Sequence, residues 1–410
     1  MEDQLTDQIT KNQSICPLPW KQVHITTTGQ VFPCCMWTGI PLGSLRHAPL
    51  GYIWTNKVTE ELREEFRKNK KPEGCSKCWL AENTGMRSPR WYACRKYLSR
   101  IGNLDKEENQ IECWDIRFSN LCNLACRMCG PESSTRWYSD AEVLFGSDWV
   151  NIVKKRVNGS RESKRLLDTL LENLEHTSEI YFVGGEPLIM PEHYKVLEAI
   201  LEQKLSNIYL RYNSNLTTLG PGDKALTLWK KLIEQGNKVE VGASIDGTGK
   251  LAEYIRYGCK WEEIEKNLDK MKEAGIPVKI MPTVSIMNVY WMPEFLDWCI
   301  QKGYRVFDWD VALPNFVVYP QYYDIRILPK RDKELVCNKC QRYLDQQSSG
   351  ENWELQKNFI EPIIVRLTQQ DLALPEEKQE KARKEFCKIN KLLDQLRNQK
   401  WLEINSQFSL

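Results

Sequence analysis

The sequence has no run approaching the roughly 18 consecutive apolar residues that a membrane-spanning helix needs. Its first stretch, MEDQLTDQITKNQ, is acidic and polar, so it lacks the basic and apolar regions of a secretory signal. Charge of one sign is not in excess either: 57 Lys and Arg face 55 Asp and Glu, a formal net of +2. That balance excludes an extreme polyanion binder, and no internal repeat or low-complexity tract is present. A hydrophobic share of 41% excludes a disordered or collagen-like chain. These absences lead us to expect a soluble protein of the cytoplasm. Its 410 residues leave room for two to three domains at roughly 150 residues each.

What the sequence does have is cysteine and tryptophan, 15 of each. An odd cysteine count without a secretory signal argues against a disulfide framework, and clustered thiols in a reducing compartment hold metal or do redox chemistry. Cys16, Cys34, Cys35, Cys75, Cys78 and Cys94 lie in the first hundred residues, within a stretch rich in turn formers. There QVHITTTGQVFPCC reads as a hairpin. From Ile111 to about Leu313, short apolar runs alternate with amphipathic stretches. WDIRFS, EIYFVGG, IYLRYNS, VEVGASID, VKIMPTVS and RVFDWDVAL are strand candidates. In the helix candidate ESKRLLDTLLENLEHT, Leu166, Leu167, Leu170, Leu171 and Leu174 share a face. Such alternation predicts α/β architecture: a parallel sheet with right-handed crossovers, open or closed into a partial barrel. Beyond Pro329 the chain is charged and helical, and KEFCKINKLLDQLRNQKWLEI has the spacing of a packed cap.

The deciding motif is Cys122-Asn-Leu-Ala-Cys126-Arg-Met-Cys129, directly after the first strand candidate of the alternating region. Three thiolates spaced four and three apart can take three corners of an iron–sulfur cube and leave the fourth iron open. On spacing alone, buried structural cysteines or a zinc loop completed from afar remain alternatives. Further strand ends carry polar groups, and ligand sites in such sheets lie at the carboxyl ends of strands. Val183-Gly184-Gly185-Glu186-Pro187 offers close backbone approach and a carboxylate for an ammonium group. Asn213-Ser214-Asn215 and Ser244-Ile245-Asp246-Gly247 suit hydroxyl groups, and Arg256 suits a carboxylate. Together they describe a pocket for a zwitterionic amino acid carrying a ribose. In the N-terminal stretch, Cys75 and Cys78 are spaced as a metal knuckle, and Cys16 with the hairpin cysteine would make four ligands. Spacing there allows a structural zinc ion as readily as a cluster.

With these motifs, residues 111 to about 315 resemble the radical SAM superfamily, whose enzymes bind S-adenosylmethionine on a [4Fe-4S] cluster. The resemblance implies a partial (β/α)6 barrel resembling a TIM barrel. It implies Cys122, Cys126 and Cys129 as cluster ligands, with Met128 at the adenine contact where many members carry an aromatic residue. Gly184, Gly185 and Glu186 match the motif holding the methionyl amine, Ser244 the ribose contact and Arg256 the carboxylate contact, with Asp246 in the same motif. Asn213 and Asn215 fit more loosely. The string CPLPW, GQVFPCC, LG and GCSKCW resembles the twitch (SPASM-like) module, which houses an auxiliary [4Fe-4S] cluster, although here it precedes the barrel. It implies ligands Cys16, Cys34, Cys75 and Cys78, with Cys35 able to replace Cys34. We therefore expect a twitch domain over 1–105, the barrel over 106–328 and a helical cap over 329–410.

The activity so implied is reductive cleavage of S-adenosylmethionine to a 5′-deoxyadenosyl radical that abstracts a substrate hydrogen. The modules point to a ribosomally made precursor peptide, modified by crosslinking, epimerisation or backbone excision. A radical dehydrogenase or epimerase of a small sugar or alcohol is the alternative, and a zinc-binding scaffold a distant one. An electron donor such as flavodoxin or ferredoxin would serve as partner. Cys337-Asn-Lys-Cys340 is a further pair without two more cysteines nearby, and Cys94, Cys113, Cys259, Cys299 and Cys387 follow no pattern. The basic run Lys154, Lys155, Arg156, Arg161, Lys164 and Arg165 reads as a solvated surface rather than a nucleic-acid patch.

Overall fold

A computed structural model describes residues 2–83, 87–104, 110–157, 159–306, 314–347, 350 and 352–410. Its strands in chain order are β1 (Gln22–Ile25), β2 (Gln30–Phe32), β3 (Gly43–Ser44), β4 (Cys113–Ile116), β5 (Ala125–Cys126), β6 (Glu179–Phe182) and β7 (Tyr209–Ser214). They continue with β8 (Lys238–Ala243), β9 (Arg256–Tyr257), β10 (Val278–Ile280), β11 (Thr283–Val284), β12 (Arg305–Val306) and β13 (Asn315–Phe316). The strand candidates of the alternating region correspond to β4, β6, β7, β8, β10 with β11, and β12. With helices between them they give the element order of a partial (β/α)6 barrel. VKIMPTVS is divided because Met281 and Pro282 interrupt the ladder between β10 and β11. Residues 307–313 of RVFDWDVAL lie outside the described residues.

Two compact units make up the chain: residues 1–121, 155–212 and 227–239 form one, and 122–154, 213–226 and 240–410 the other. In the first unit, strands lie in the order β7-β6-β4-β1-β2-β3. The predicted hairpin is β1 and β2, paired antiparallel with Ile25 opposite Val31. Strand β1 also runs parallel to β4, so the cysteine-rich N-terminal segment shares the sheet. Its register places Val23 opposite Trp114, Trp114 opposite Ile180 and Ile180 opposite Leu210. Because side chains alternate across a strand, these four form one buried apolar row. The opposite face carries His24, Asp115, Tyr181 and Arg211 in a polar row. The helix Ser160–Glu172 buries Leu166, Leu167 and Leu170 as its period predicts. Leu174 is buried from a short 3-10 turn just beyond that helix.

In the second unit β12, β10 and β8 are parallel, with Val278 opposite Val241 and Ile280 opposite Val306. β5 pairs antiparallel with β9, and β11 parallel with β13. The expected helical cap is present as Lys330–Gln347, Trp353–Thr368, Glu376–Arg397 and Trp401–Ile404. In Glu376–Arg397, Ala382, Phe386, Ile389 and Leu393 recur at four and three and are buried. Asn398, in the left-handed conformation at φ +50°, ends it. Among the described residues, no helix is long and apolar enough to cross a membrane.

Trp114 sits at the middle of the apolar row, 1% exposed, with its indole N–H donating to Thr177 Oγ1 at 3.1 Å. Trp114→Ala should destabilise the protein by about 3–5 kcal/mol through the cavity and the lost contact area. Denaturant unfolding checks this, and a loss under about 1 kcal/mol would mean that the row is not the core of the sheet.

Candidate active site

Cys122, Cys126 and Cys129 are all in the second unit, on a loop whose backbone groups are held from several sides. Cys126 ends β5 and lies opposite Arg256 of β9. The Arg127 N–H donates to the Ile255 carbonyl at 2.8 Å, the Cys129 N–H to the Cys126 carbonyl at 3.0 Å, and Trp137 Nε1 to that same carbonyl at 2.8 Å. Thr135 Oγ1 donates to the Cys122 carbonyl at 3.2 Å. Satisfying these groups fixes the loop, since a buried backbone donor or acceptor left unmade is costly.

The β5–β9 ladder brings the Arg256 guanidinium to the thiols, with Nη1 3.8 Å from Cys126 Sγ. Cys126 is lowered to about 7 because Cys129 donates a hydrogen bond to its sulfur, and Arg256 adds to this against burial. Cys129 is correspondingly raised by serving as the donor. Arg256 is oriented in turn by Asp246, whose Oδ2 lies 2.8 Å from Arg256 Nε. Asp246 Oδ1 accepts from the Thr283 N–H at 2.8 Å, and burial pushes the carboxyl up against the pull of Arg256. Asp246 thus pairs with Arg256 and is anchored by the Thr283 N–H. Ser244 is placed by its N–H donating to the Ser214 carbonyl at 2.8 Å. Asn215, rather than Asn213, reaches the loop: its Nδ2 donates to Asn123 Oδ1 at 3.0 Å and lies 4.0 Å from Cys122 Sγ. Met128 is half-buried. A fourth thiol, Cys259, sits close enough to feel the charge of Cys126 but donates to the Ala252 carbonyl at 3.7 Å, and burial pushes it up to about 12.

In the first unit, Gly184 and Gly185 have φ of +77° and +57°. A Cβ on Gly184 would stand 2.3 Å from Arg117 Cγ, and one on Gly185 2.2 Å from the Leu121 carbonyl oxygen. Only glycine fits both positions. The Glu186 N–H donates to that carbonyl at 2.8 Å, and its buried carboxylate caps the next turn through the Leu188 N–H at 3.1 Å. Sequence reasoning passed over the neighbouring polar row. His24 Nδ1 lies 2.6 Å from Asp115 Oδ2, and Arg117 Nη1 donates to Asp115 Oδ1 at 2.8 Å. Burial would raise Asp115, but His24 and Arg117 together hold it below the usual carboxylate range.

The N-terminal thiols are near enough for charge on one to act on others. Burial raises Cys16 first, and the charges of Cys94, Cys34 and Cys75 raise it further. Burial likewise raises Cys34, with Cys35, Cys75 and Cys78 adding to it. Burial and then Cys78 push Cys75 up to about 12. Cys94, which follows no sequence pattern, is buried beside Cys16 with its thiol 3.5 Å from the Ile15 carbonyl. It lies on the helix Pro89–Lys96, stapled back by Arg90 to the Ile15 and Thr10 carbonyls at 2.8 and 2.7 Å. Cys337 and Cys340 lie one turn apart on Lys330–Gln347, with Cys340 buried. In the basic run, Lys154 pairs with Glu142 at 3.2 Å and Lys164 with Asp168 at 2.8 Å. Among the described residues, no three His, Cys, Asp or Glu side chains converge on a single ion. A cubane places each thiolate on a different iron and needs no such convergence, so both donor sets fit its chemistry.

The radical SAM superfamily model matches residues 116–299, and the SPASM model, an iron–sulfur cluster-binding domain, matches residues 16–79. The chain therefore carries a radical SAM domain over residues 116–299 and a SPASM domain over residues 16–79, and these domains imply S-adenosylmethionine and iron–sulfur clusters as cofactors. It is similar to the GTP 3′,8-cyclase of Streptomyces coelicolor, 24% identical over 197 residues, 47% of this chain and 51% of that one. It is also similar to the sporulation killing factor maturation protein SkfB of Bacillus subtilis, 24% identical over 194 residues, 47% of this chain and 40% of that one. The chain thus spans about half the length of such curated relatives. Among solved structures, Streptococcus suis SuiB bound to precursor peptide SuiA matches at TM-score 0.38 and 15% identity, covering 80% of this chain and 69% of that one. Native anSMEcpe with bound AdoMet matches at TM-score 0.40 and 18% identity, covering 57% and 60%.

Asp246→Ala would leave the buried Arg256 guanidinium uncompensated, which should cost about 3–5 kcal/mol in the apoprotein. Urea unfolding checks it: an unchanged midpoint would show that Arg256 does not depend on Asp246.

Proposed function

We propose that this enzyme cleaves S-adenosylmethionine reductively and removes a hydrogen atom from a ribosomally made precursor peptide, giving a crosslink, an inverted centre or backbone excision. What carries the reading is the three-thiol loop beside the buried Arg256 guanidinium, with Cys259 turned away to the Ala252 carbonyl. Three ligands on a four-iron cluster leave one iron for a chelating ligand. When bound, the cluster and S-adenosylmethionine supply an electron and a 5′-deoxyadenosyl radical, which is chemistry no side chain provides.

The chain's own residues bind and orient. Arg256, held by Asp246, presents its guanidinium to the cofactor carboxylate, and Glu186 presents its carboxylate to the amine. Gly184 and Gly185 let the backbone approach the ligand. Ser244 and Asn213 meet the ribose, and Met128 the adenine. Glu186, Asp246 and Arg256 are themselves buried, which limits the access of water to these charges. Cys16, Cys34, Cys75 and Cys78 hold a second [4Fe-4S] cluster with all four corners filled, suited to electron transfer or structure. A flavodoxin or ferredoxin in the cytoplasm would supply electrons. SkfB, a relative named for maturation of a killing factor, supports the peptide substrate. The equally similar GTP 3′,8-cyclases favour a second reading, a radical reaction on a small molecule.

Anaerobic reconstitution should yield about eight irons and eight sulfides per chain, halved when Cys122, Cys126 and Cys129 are all replaced by Ala. Stoichiometric zinc with negligible iron would overturn the reading. Glu186→Ala or Arg256→Ala should weaken S-adenosylmethionine binding by about tenfold or more, because each leaves a ligand charge unpaired. Anaerobic calorimetry decides, and wild-type affinity in both variants would remove them from the site.

A further inference from the structure

We infer that the helix Glu376–Arg397 is a clamp that holds the three-cysteine loop in its ligating conformation, with Arg127 as the positioning residue. The inference deepens the reading above, because it concerns what orders the thiols that would hold the cofactor.

Arg127 stands between two of the three cysteines, so its backbone conformation sets where Cys126 and Cys129 point. Its side chain is fully buried and bound on every edge. Nε donates to the Tyr254 carbonyl at 3.1 Å and Nη1 to Asn390 Oδ1 at 2.6 Å. Nη2 donates to Asp394 Oδ1 at 2.5 Å and to Gln399 Oε1 at 3.0 Å. The guanidinium also lies 3.8 Å from the Tyr254 ring centroid. Asn390, Asp394 and Arg397 fall at i, i+4 and i+7, one face of the helix. Asp394 is itself fixed, accepting from Tyr254 Oη at 3.0 Å and from the Trp401 N–H at 2.7 Å.

A second contact runs through tryptophan. Arg397 donates to Asp140 Oδ2 at 2.8 Å and lies 4.8 Å from the Trp137 ring and 4.7 Å from that of Tyr257. Trp137 Nε1 holds the Cys126 carbonyl. The third contact is apolar: Ile389 and Leu393 form one cluster with Ala125 and Trp137, and Cys129 packs against it. The helix therefore reaches Cys126 through Arg127 and Trp137, and Cys129 by direct packing. A lysine at position 127 would keep the charge but lose the planar fork that binds four acceptors.

Amide hydrogen exchange on the apoprotein tests this without any cofactor. In Arg127→Lys and in Asp394→Asn, the amides of Arg127 and Cys129 should exchange about tenfold faster or more, while β1, β4 and β6 keep their protection. After reconstitution, the iron bound by the three-cysteine site should fall, and the signal of the N-terminal cluster should persist. Unchanged loop exchange in both variants, or equal loss of protection in β4 and β6, would overturn the clamp. Should Arg127→Lys fail to fold, Asn390→Ala and Gln399→Ala each remove one acceptor from the same fork. Faster loop exchange in them supports the clamp, and unchanged exchange in both overturns it equally. Zinc in place of iron in the wild-type protein would sink the radical SAM reading and leave the exchange result standing. A normal wild-type cluster with no local exchange effect would sink the clamp alone.

Discussion

Three thiols within eight residues of chain repel one another once ionised, and much of the second unit is arranged against that repulsion. A cation must be near, yet a buried guanidinium is costly unless paired. The two-residue ladder of β5 and β9 meets both demands, since it sets Arg256 opposite Cys126 while Asp246 takes the other edge of the guanidinium. Asp246 is anchored by the Thr283 N–H, and its own carbonyl accepts from Asn288 Nδ2 at 2.9 Å. The charge chain thus ends on backbone and amide groups rather than on another titrating side chain.

The N-terminal thiols are arranged differently. Cys16, Cys34, Cys75 and Cys78 are all raised by burial, and thiol neighbours raise the first three further. Arg90 relieves Cys75 and Cys78 only in part, because it is already bound to Glu82 at 2.5 Å. Without a cluster these groups are thiols, and ligand binding there must expel protons. In the second unit, Cys126 already leans toward the thiolate.

The periodicity of the chain made the fold readable. Alternating β-branched and aromatic residues marked β4, β6, β7 and β8, and the leucine spacing of 166, 167 and 170 marked their helix. Cysteine spacing singled out both thiol groups because it is a local feature of the chain. The extra parallel pairing of β1 with β4 was not readable, because strand partners are chosen by surfaces far apart in sequence. For the same reason His24 could not be tied to Asp115 across 91 residues. Cys94 and Cys259 had no spacing signal at all, and only burial beside other thiols distinguishes them.

The ion pair of Arg127 with Asp394 spans 267 residues and its hydrogen bond to Gln399 spans 272. Closing so long a segment costs only slightly more entropy than closing one half its length, because that cost grows with the logarithm of length. What the distance changes is order of formation. The β5–β9 ladder closes over 130 residues, between Cys126 and Arg256, whereas the guanidinium fork needs the helix Glu376–Arg397 as well. A loop tied only by the ladder would keep Cys126 opposite Arg256 but leave Arg127 with one of its two elements of support. The carboxylate of Asp394 and the amide of Asn390 complete it, and they do so at the one residue between Cys126 and Met128. Thiol geometry in this chain is thus a tertiary property, with the local spacing of the cysteines as its precondition.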